Sequence, residues 1–180
     1  GSISDEEIYC HIGTRIRKNH TSKRDAFKSI DISPIAVVQD DRVEIQKIPS
    51  NIILHKNKSR NKINKEFNII SKTKFDDRVF LLKYYPGFNP ILIENVQKLG
   101  YKVIIIEGTG LGHINRNCFS YLKEAIASGM LVFMTSQCIW GRTNLNVYDT
   151  GRDLQKIGII PLSNMLSETA MVKAMWLLAN

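Results

Sequence analysis

The residues best placed to do chemistry lie in the second half of the chain. Val103–Glu107 is an apolar run closed by a carboxylate, and it enters a turn that holds Gly108, Gly110 and Gly112. A helix-like segment follows. Strand, glycine turn and helix is the geometry of phosphate-binding loops, because glycine lets backbone amides approach an anion at a helix start. Spacing decides against a nucleotide. A dinucleotide loop, G-x-G-x-x-G, needs its third glycine at 113, which is His113, and no lysine follows as a G-x-x-x-x-G-K-[ST] loop requires. What remains is a turn that approaches something closely, or a tight turn with no ligand. Glu107 reads as a carboxylate accepting bonds from the turn amides, with a functional use left open. Gln137, Arg142, Asn144 and Asn146 form a second polar group, able to line a cleft or to hold a long loop together.

Metal and disulfide chemistry find little support. The three cysteines, Cys10, Cys118 and Cys138, form no CxxC and cannot all pair, which suits a reducing, cytoplasmic setting. The four histidines, His11, His20, His55 and His113, show no metal-ligand spacing, and no metal or other cofactor is expected. No apolar run reaches the ~18 residues of a membrane helix, and a membrane partner is not expected. The net charge is +8 over 180 residues. It is concentrated in two places. From His55 to Lys74 seven basic residues stand against one acid. Arg15, Arg17, Lys18, Lys23 and Arg24 put five more within ten positions. A solvated linker or face and a contact with an RNA backbone both fit such stretches, and for the second a contact with an upstream half of the protein fits as well.

These residues need elements to position them. Residues 79–180 alternate strand and helix signals. "VFLLKYY" reads as a buried strand, and Asn89-Pro90 as a helix start. Leu92, Val96 and Leu99 recur at helical spacing up to a stop at Gly100. Strands at "YKVIIIE", "MLVFMTS" and "IIPL" alternate with helices at "NCFSYLKEAIASG", "TGRDLQKIG" and "ETAMVKAMWLLAN". This predicts an α/β, Rossmann-like parallel sheet with right-handed crossovers, and ligands would meet its loops at the strands' carboxyl ends, 84–89, 107–117 and 135–150. Residues 51–78 read as a basic linker. Residues 1–50 read as β-rich but incomplete: a strand pair turning or bulging at Gly13, a two-turn helix capped by Ser22, and a hairpin around Gln39-Asp40-Asp41. Trp140 and Trp176 read as packing residues.

Several blocks carry a resemblance. "KYYPG", "IIIEGTGLGHI", "MTSQCIWGRTNLNVYDTGRDL" and "MLSETAMVKAMWLL" are similar to the carboxy-terminal domain of the L-asparaginase family. "TRIRKNHTSKRDAFKSI" narrows the likeness to archaeal glutamyl-tRNA(Gln) amidotransferase D subunits. The resemblance implies a small α/β domain at 79–180 joined to a β-rich remnant of the large amino-terminal domain at 1–50. It implies release of ammonia from an Asn or Gln side chain by a threonine nucleophile, supported by a Thr-Asp pair and a lysine. In the D subunits that ammonia serves an E subunit that amidates Glu-tRNA(Gln), so tRNA is an indirect partner.

The family's nucleophile sits in a "TGGT"-like turn and its Thr-Asp pair in an "HGTDT"-like stretch. Neither occurs here, and the only neighbouring Asp and Thr are Asp149-Thr150, in reverse order. The resemblance therefore implies the carboxy-terminal half of such a subunit, inactive alone, needing a missing amino-terminal half or a separate upstream chain, and paired with a second copy because family sites are shared between subunits. A free L-asparaginase fragment and a non-catalytic binding or assembly module are the alternatives. In type II bacterial enzymes an Asn of the glycine loop and a Glu of the following long loop complete the neighbour's substrate site. The corresponding positions offer Leu111, where that contact is absent or replaced, and Tyr148, whose phenol could bond the substrate's α-groups.

Overall fold

The structure, a computed structural model, describes residues 6–40, 42–46 and 72–180. The chain divides into two compact units, Gly1–Thr73 and Lys74–Asn180. The basic residues from Lys56 to Lys65 lie outside the described residues.

The first unit is built from short antiparallel strands. β1 (Glu7–Cys10), β4 (Ala36–Gln39) and β5 (Arg42–Ile45) form a three-stranded sheet in the order β1-β4-β5, while β2 (Ile16–Lys18) and β3 (Phe27–Ser29) form a separate two-stranded ribbon. The hairpin expected near Gln39 is present: Gln39 pairs with Arg42, and Asp40 takes the left-handed conformation that a tight turn demands, with φ 48°. Two expectations fail here. Gly13 opens a 3-10 turn (Gly13–Arg15), and the strands on either side of it join different sheets. The segment after Ser22 is not a helix. Its apolar residues Ala26 and Ile30 are buried at helical spacing, yet Phe27–Ser29 pairs with Ile16–Lys18, because long-range strand pairing outweighs the propensity of so short a segment.

The three-stranded sheet has an inverted pattern of exposure. Residues directly opposite one another share a face, and faces alternate along each strand. The register therefore places Ile8, Val38 and Val43 with Cys10, Ala36 and Ile45 on one apolar face. On that face Ile8 is 58%, Val43 65% and Ile45 74% exposed. Glu7 and Tyr9, on the opposite face, are better covered than Ile8 and Cys10.

The second unit is a four-stranded parallel sheet. β6 (Val79–Lys83), β7 (Val103–Gly108), β8 (Leu131–Ser136) and β9 (Ile160–Pro161) lie in that order, as the strand–helix alternation predicts. α1 (Ile91–Lys98), α2 (Phe119–Ala127) and α3 (Asp149–Lys156) make the crossovers. Each step moves the same way across the sheet. Right-handed crossovers then place all three helices on one face. The core agrees: Ile104, Ile106, Val132 and Met134 pack with Ile93, Val96, Leu122, Ala125 and Leu154. The alternate residues Val103 and Ile105 point the other way and pack against Ala170 and Ala174 of α4 (Ser167–Ala179). Beside α4 that second face is open, forming an apolar groove of about 370 Å³ between the helix and Leu131, Phe133 and Leu162.

The buried stripe of α1 is not the one its spacing suggests. Ile93 and Val96 are buried, while Leu92 and Leu99 face outward, so the stripe lies one residue over from the expected face. Only one position of that set, Val96, serves both patterns. Ile104→Ala is expected to destabilise the chain by about 2–5 kcal/mol, whereas Leu99→Ala is expected to change stability by less than about 0.5 kcal/mol. Urea unfolding followed by far-ultraviolet circular dichroism measures both.

Candidate functional site

The parallel strands end together. Lys83, Glu107 and Thr135 are in register, so the loops that follow them emerge side by side. Gln137 ties two of these strand ends. Its side-chain amide donates to the backbone carbonyls of Tyr84 and Glu107, and its own N–H donates to the carbonyl of Gly108. Thr135 Oγ1 donates to the Ile106 carbonyl at 2.9 Å, closing the β7–β8 end from inside. Of the two uses open to Gln137, holding the loops together is the one its bonds describe.

Glu107 has partners other than those expected. It is 7% exposed, and Ser167 Oγ donates to its Oε1. Lys83 Nζ lies 3.4 Å from its Oε2. The turn amides look elsewhere, because Glu107 follows Val103 and Ile105 on the strand and therefore points to the α4 face. Ser167 is the first residue of α4, so the carboxylate sits at the positive end of that helix. Glu107 pins the start of α4 to the sheet.

The glycine turn is closed by its own backbone. Thr109 N–H donates to the His113 carbonyl, and the amides of Gly112 and His113 both donate to the Thr109 carbonyl at 2.9 Å. Gly110 and Gly112 have φ of 51° and 105°, which disfavours any side chain. A Cβ on Gly112 would lie 2.8 Å from Met134 Cγ, and one on Gly108 would lie 2.8 Å from Met134 Sδ. What the turn approaches closely is therefore β8, and the glycines serve packing.

The long loop after β8 folds back onto this turn. Ser136 Oγ donates to the Gly110 carbonyl at 2.6 Å, and Asn144 N–H donates to the Leu111 carbonyl at 2.9 Å. Thr143 is bound by the Ser163 carbonyl through both its N–H and its hydroxyl. Gly151 of α3 lies directly against the backbone of Leu145, where a side chain would have no room. At the start of α3, Thr150 Oγ1 and His113 Nδ1 are 3.2 Å apart, and the Tyr148 ring meets the His113 ring edge to face at 5.1 Å. The two loops that carry Leu111 and Tyr148 are thus joined at His113. Tyr148 itself is 57% exposed. Asn144 and Asn146 bond within the loop, where Arg152 donates to the Asn146 carbonyl at 3.0 Å, and Arg142 points outward. The four polar residues do not form one cluster. Trp140 is exposed rather than packed, because the loop that carries it runs over the surface.

His113, Thr150, Ser167 and Lys83 escape a reading of the sequence. His113 stands out there only as the residue that breaks a glycine motif, and the others come from distant elements. His113 Nε2 is buried with no hydrogen-bond partner among the described residues. A hydroxyl beside an imidazole is the first link of an activated nucleophile, but among the described residues no second hydrogen-bonding group orients the ring. Among the described residues no group of three or more His, Cys, Asp and Glu could hold a metal ion, and no helix is long and apolar enough to cross a membrane. Cys10 and Cys138 are exposed free thiols, and burial pushes the Cys118 thiol up to about 11.

The unit is a parallel α/β fold whose glycine turn and long loop meet at one end of the sheet. Residues 78–180 match the glutaminase/asparaginase C-terminal domain family, and residues 4–51 match the asparaginase N-terminal family. The chain belongs to the asparaginase family. It is 47% identical to the D subunit of the glutamyl-tRNA(Gln) amidotransferase of Sulfolobus acidocaldarius, with all of this chain and 38% of that protein covered. The corresponding protein of Pyrococcus furiosus is 44% identical, with 100% and 39% covered. The chain therefore spans less than two fifths of these curated relatives. Among solved structures, the thermostable L-asparaginase from Thermococcus kodakarensis superposes with a TM-score of 0.77 at 28% identity, covering 96% of this chain and 49% of that one.

Two substitutions test the packing of this face. Gly112→Ala is expected to destabilise the chain by about 1–3 kcal/mol, with Met134→Ala in the same chain relieving part of the clash. Ser167→Ala leaves Glu107 without its hydroxyl donor and is expected to cost about 1–3 kcal/mol. Denaturant midpoints read both.

Proposed function

We propose that the chain is the carboxy-terminal part of an asparaginase-like amidotransferase subunit that releases ammonia from Gln or Asn for the conversion of Glu-tRNA(Gln) to Gln-tRNA(Gln). The observation that carries this reading is identity of 44–48% to D subunits over the whole length of the chain, including the "TRIRKNHTSKRDAFKSI" block. Within it, residues 79–180 are the small domain, 51–78 a linker and 1–50 the edge of the large amidohydrolase domain. The uncovered apolar face of the β1-β4-β5 sheet supports that last assignment, since an exposed apolar sheet face is normally buried against other structure. The threonine nucleophile, Thr-Asp pair and lysine reside on the upstream half, and a homodimer partner and the E subunit complete the assembly in the cytoplasm.

In this reading the chain's own contribution is positional. The His113–Thr150–Tyr148 joint presents the Tyr148 phenol and the Leu111 side of the glycine turn to a substrate whose chemistry occurs on other residues. The phenol donates to the substrate's α-carboxylate, and Leu111 supplies an apolar wall where other family members place an amide.

Co-expression of this chain with the upstream half, followed by a coupled assay for ammonia, tests the proposal. The chain alone is expected to release none from Asn or Gln, and the pair to release it. In the active pair, Tyr148→Phe is expected to raise KM about tenfold, the ~1.4 kcal/mol of one hydrogen bond. Absence of ammonia release from a well-folded pair would sink the enzyme reading and leave an assembly module.

A further inference from the structure

The β2–β3 ribbon is the most strongly charged described surface that this function does not use. Between Arg15 and Lys28 there are six cations against the single carboxylate of Asp25, a net charge of +5. Lys18, Lys23, Arg24 and Lys28 are all exposed. The charges are also ordered. Arg17 and Lys28 are paired across the ribbon, which puts both cations on one face. Lys28 Nζ reaches Asp25 at 2.9 Å, and this bond holds the Asp25 carboxyl below its usual range, with the charge of Lys23 contributing. Lys23 and Lys28 therefore both act on a single acid.

The loop between the two strands, which carries Lys23, is prearranged. Asn19 N–H donates to the Ala26 carbonyl at 2.7 Å, and Ala26 N–H returns to the Lys23 carbonyl at 3.2 Å. His20 Nδ1 accepts the backbone N–H groups of both Ser22 and Lys23 at 3.1 Å. Accepting at Nδ1 places the ring proton on Nε2 of an exposed side chain, where it is a further outward donor. Ala26 and Ile30 are buried and anchor the ribbon. On its other face Lys18 Nζ lies 6.0 Å from the centroid of the Phe27 ring, which is 44% exposed. Closely spaced cations beside a fixed loop, with an imidazole donor, match a phosphodiester backbone better than a single anion.

We propose that the β2–β3 ribbon is an RNA-docking element in which Lys23 and Lys28 contact backbone phosphates. The choice of RNA over other polyanions rests on the tRNA-linked function proposed above. The binding itself does not depend on ammonia release, so the two ideas fail separately.

The test is fluorescence anisotropy of labelled unfractionated tRNA with the full chain, across about 50–200 mM KCl. The double variant Lys23→Gln/Lys28→Gln is expected to bind roughly tenfold more weakly, and its log–log salt slope to flatten by about 2. Lys23→Arg/Lys28→Arg keeps both charges and is expected to bind like the parent. Lys98→Gln/Lys156→Gln removes two exposed cations from the second unit and is expected to leave affinity unchanged. Equal loss in both Gln doubles, loss in the Arg double, or no tRNA binding by the parent would overturn the proposal. Displacement by heparin or an acidic peptide as effective as by unlabelled tRNA would overturn the assignment to RNA.

Discussion

The burial of β7 on both faces is the constraint from which the second unit follows. All six residues from Val103 to Gly108 are buried, and its neighbours β6 and β8 are parallel to it. A strand buried on both sides needs apolar residues at every position and cover on each face. Ile104 and Ile106 are covered by the three crossover helices and Val103 and Ile105 by α4. Glu107 is the price of ending such a strand with a charge, and Ser167 and Lys83 are what make it tolerable there. One alternating strand thus fixes which face each helix takes and where the loops that bear the candidate site emerge.

The close packing of the glycine turn follows from the same strand. β7 and β8 run side by side to their ends, and the turn after β7 must double back over Met134 of β8. Only residues without Cβ fit at Gly108 and Gly112. The loop after β8 then has a rigid surface to fold against, and it brings His113, Tyr148 and Thr150 together from segments 35 or more residues apart. The site is supported by strand ends, main-chain hydrogen bonds and the side chains of Ser136 and Gln137.

The described strands of the first unit separate strand pairing from side-chain burial. Its hydrogen bonds are made and its register is defined, yet Ile8, Val43 and Ile45 remain open on one side. Pairing satisfies backbone groups, while burial of apolar side chains requires a facing layer.

How much of this was legible in the sequence differs by element. The four parallel strands, their helices and the stops at Gly100 and Gly129 are local signals: unbroken apolar runs, helical spacing and glycine with positive φ. The motif blocks that mark the asparaginase family are equally local, and so is the exclusion of a nucleotide loop by His113. Other features depend on which distant segments meet. The segment around Phe27 is a strand because Ile16–Lys18 lies beside it, and the buried stripe of α1 is Ile93–Val96 because of where α2 packs. The partners of Glu107, and the joint at His113, come from residues 24 to 60 positions away, a separation over which spacing carries no information. The sequence by itself determined the elements and the family, through short-range periodicity and composition. Tertiary structure alone decided the faces and the site, because those depend on long-range packing.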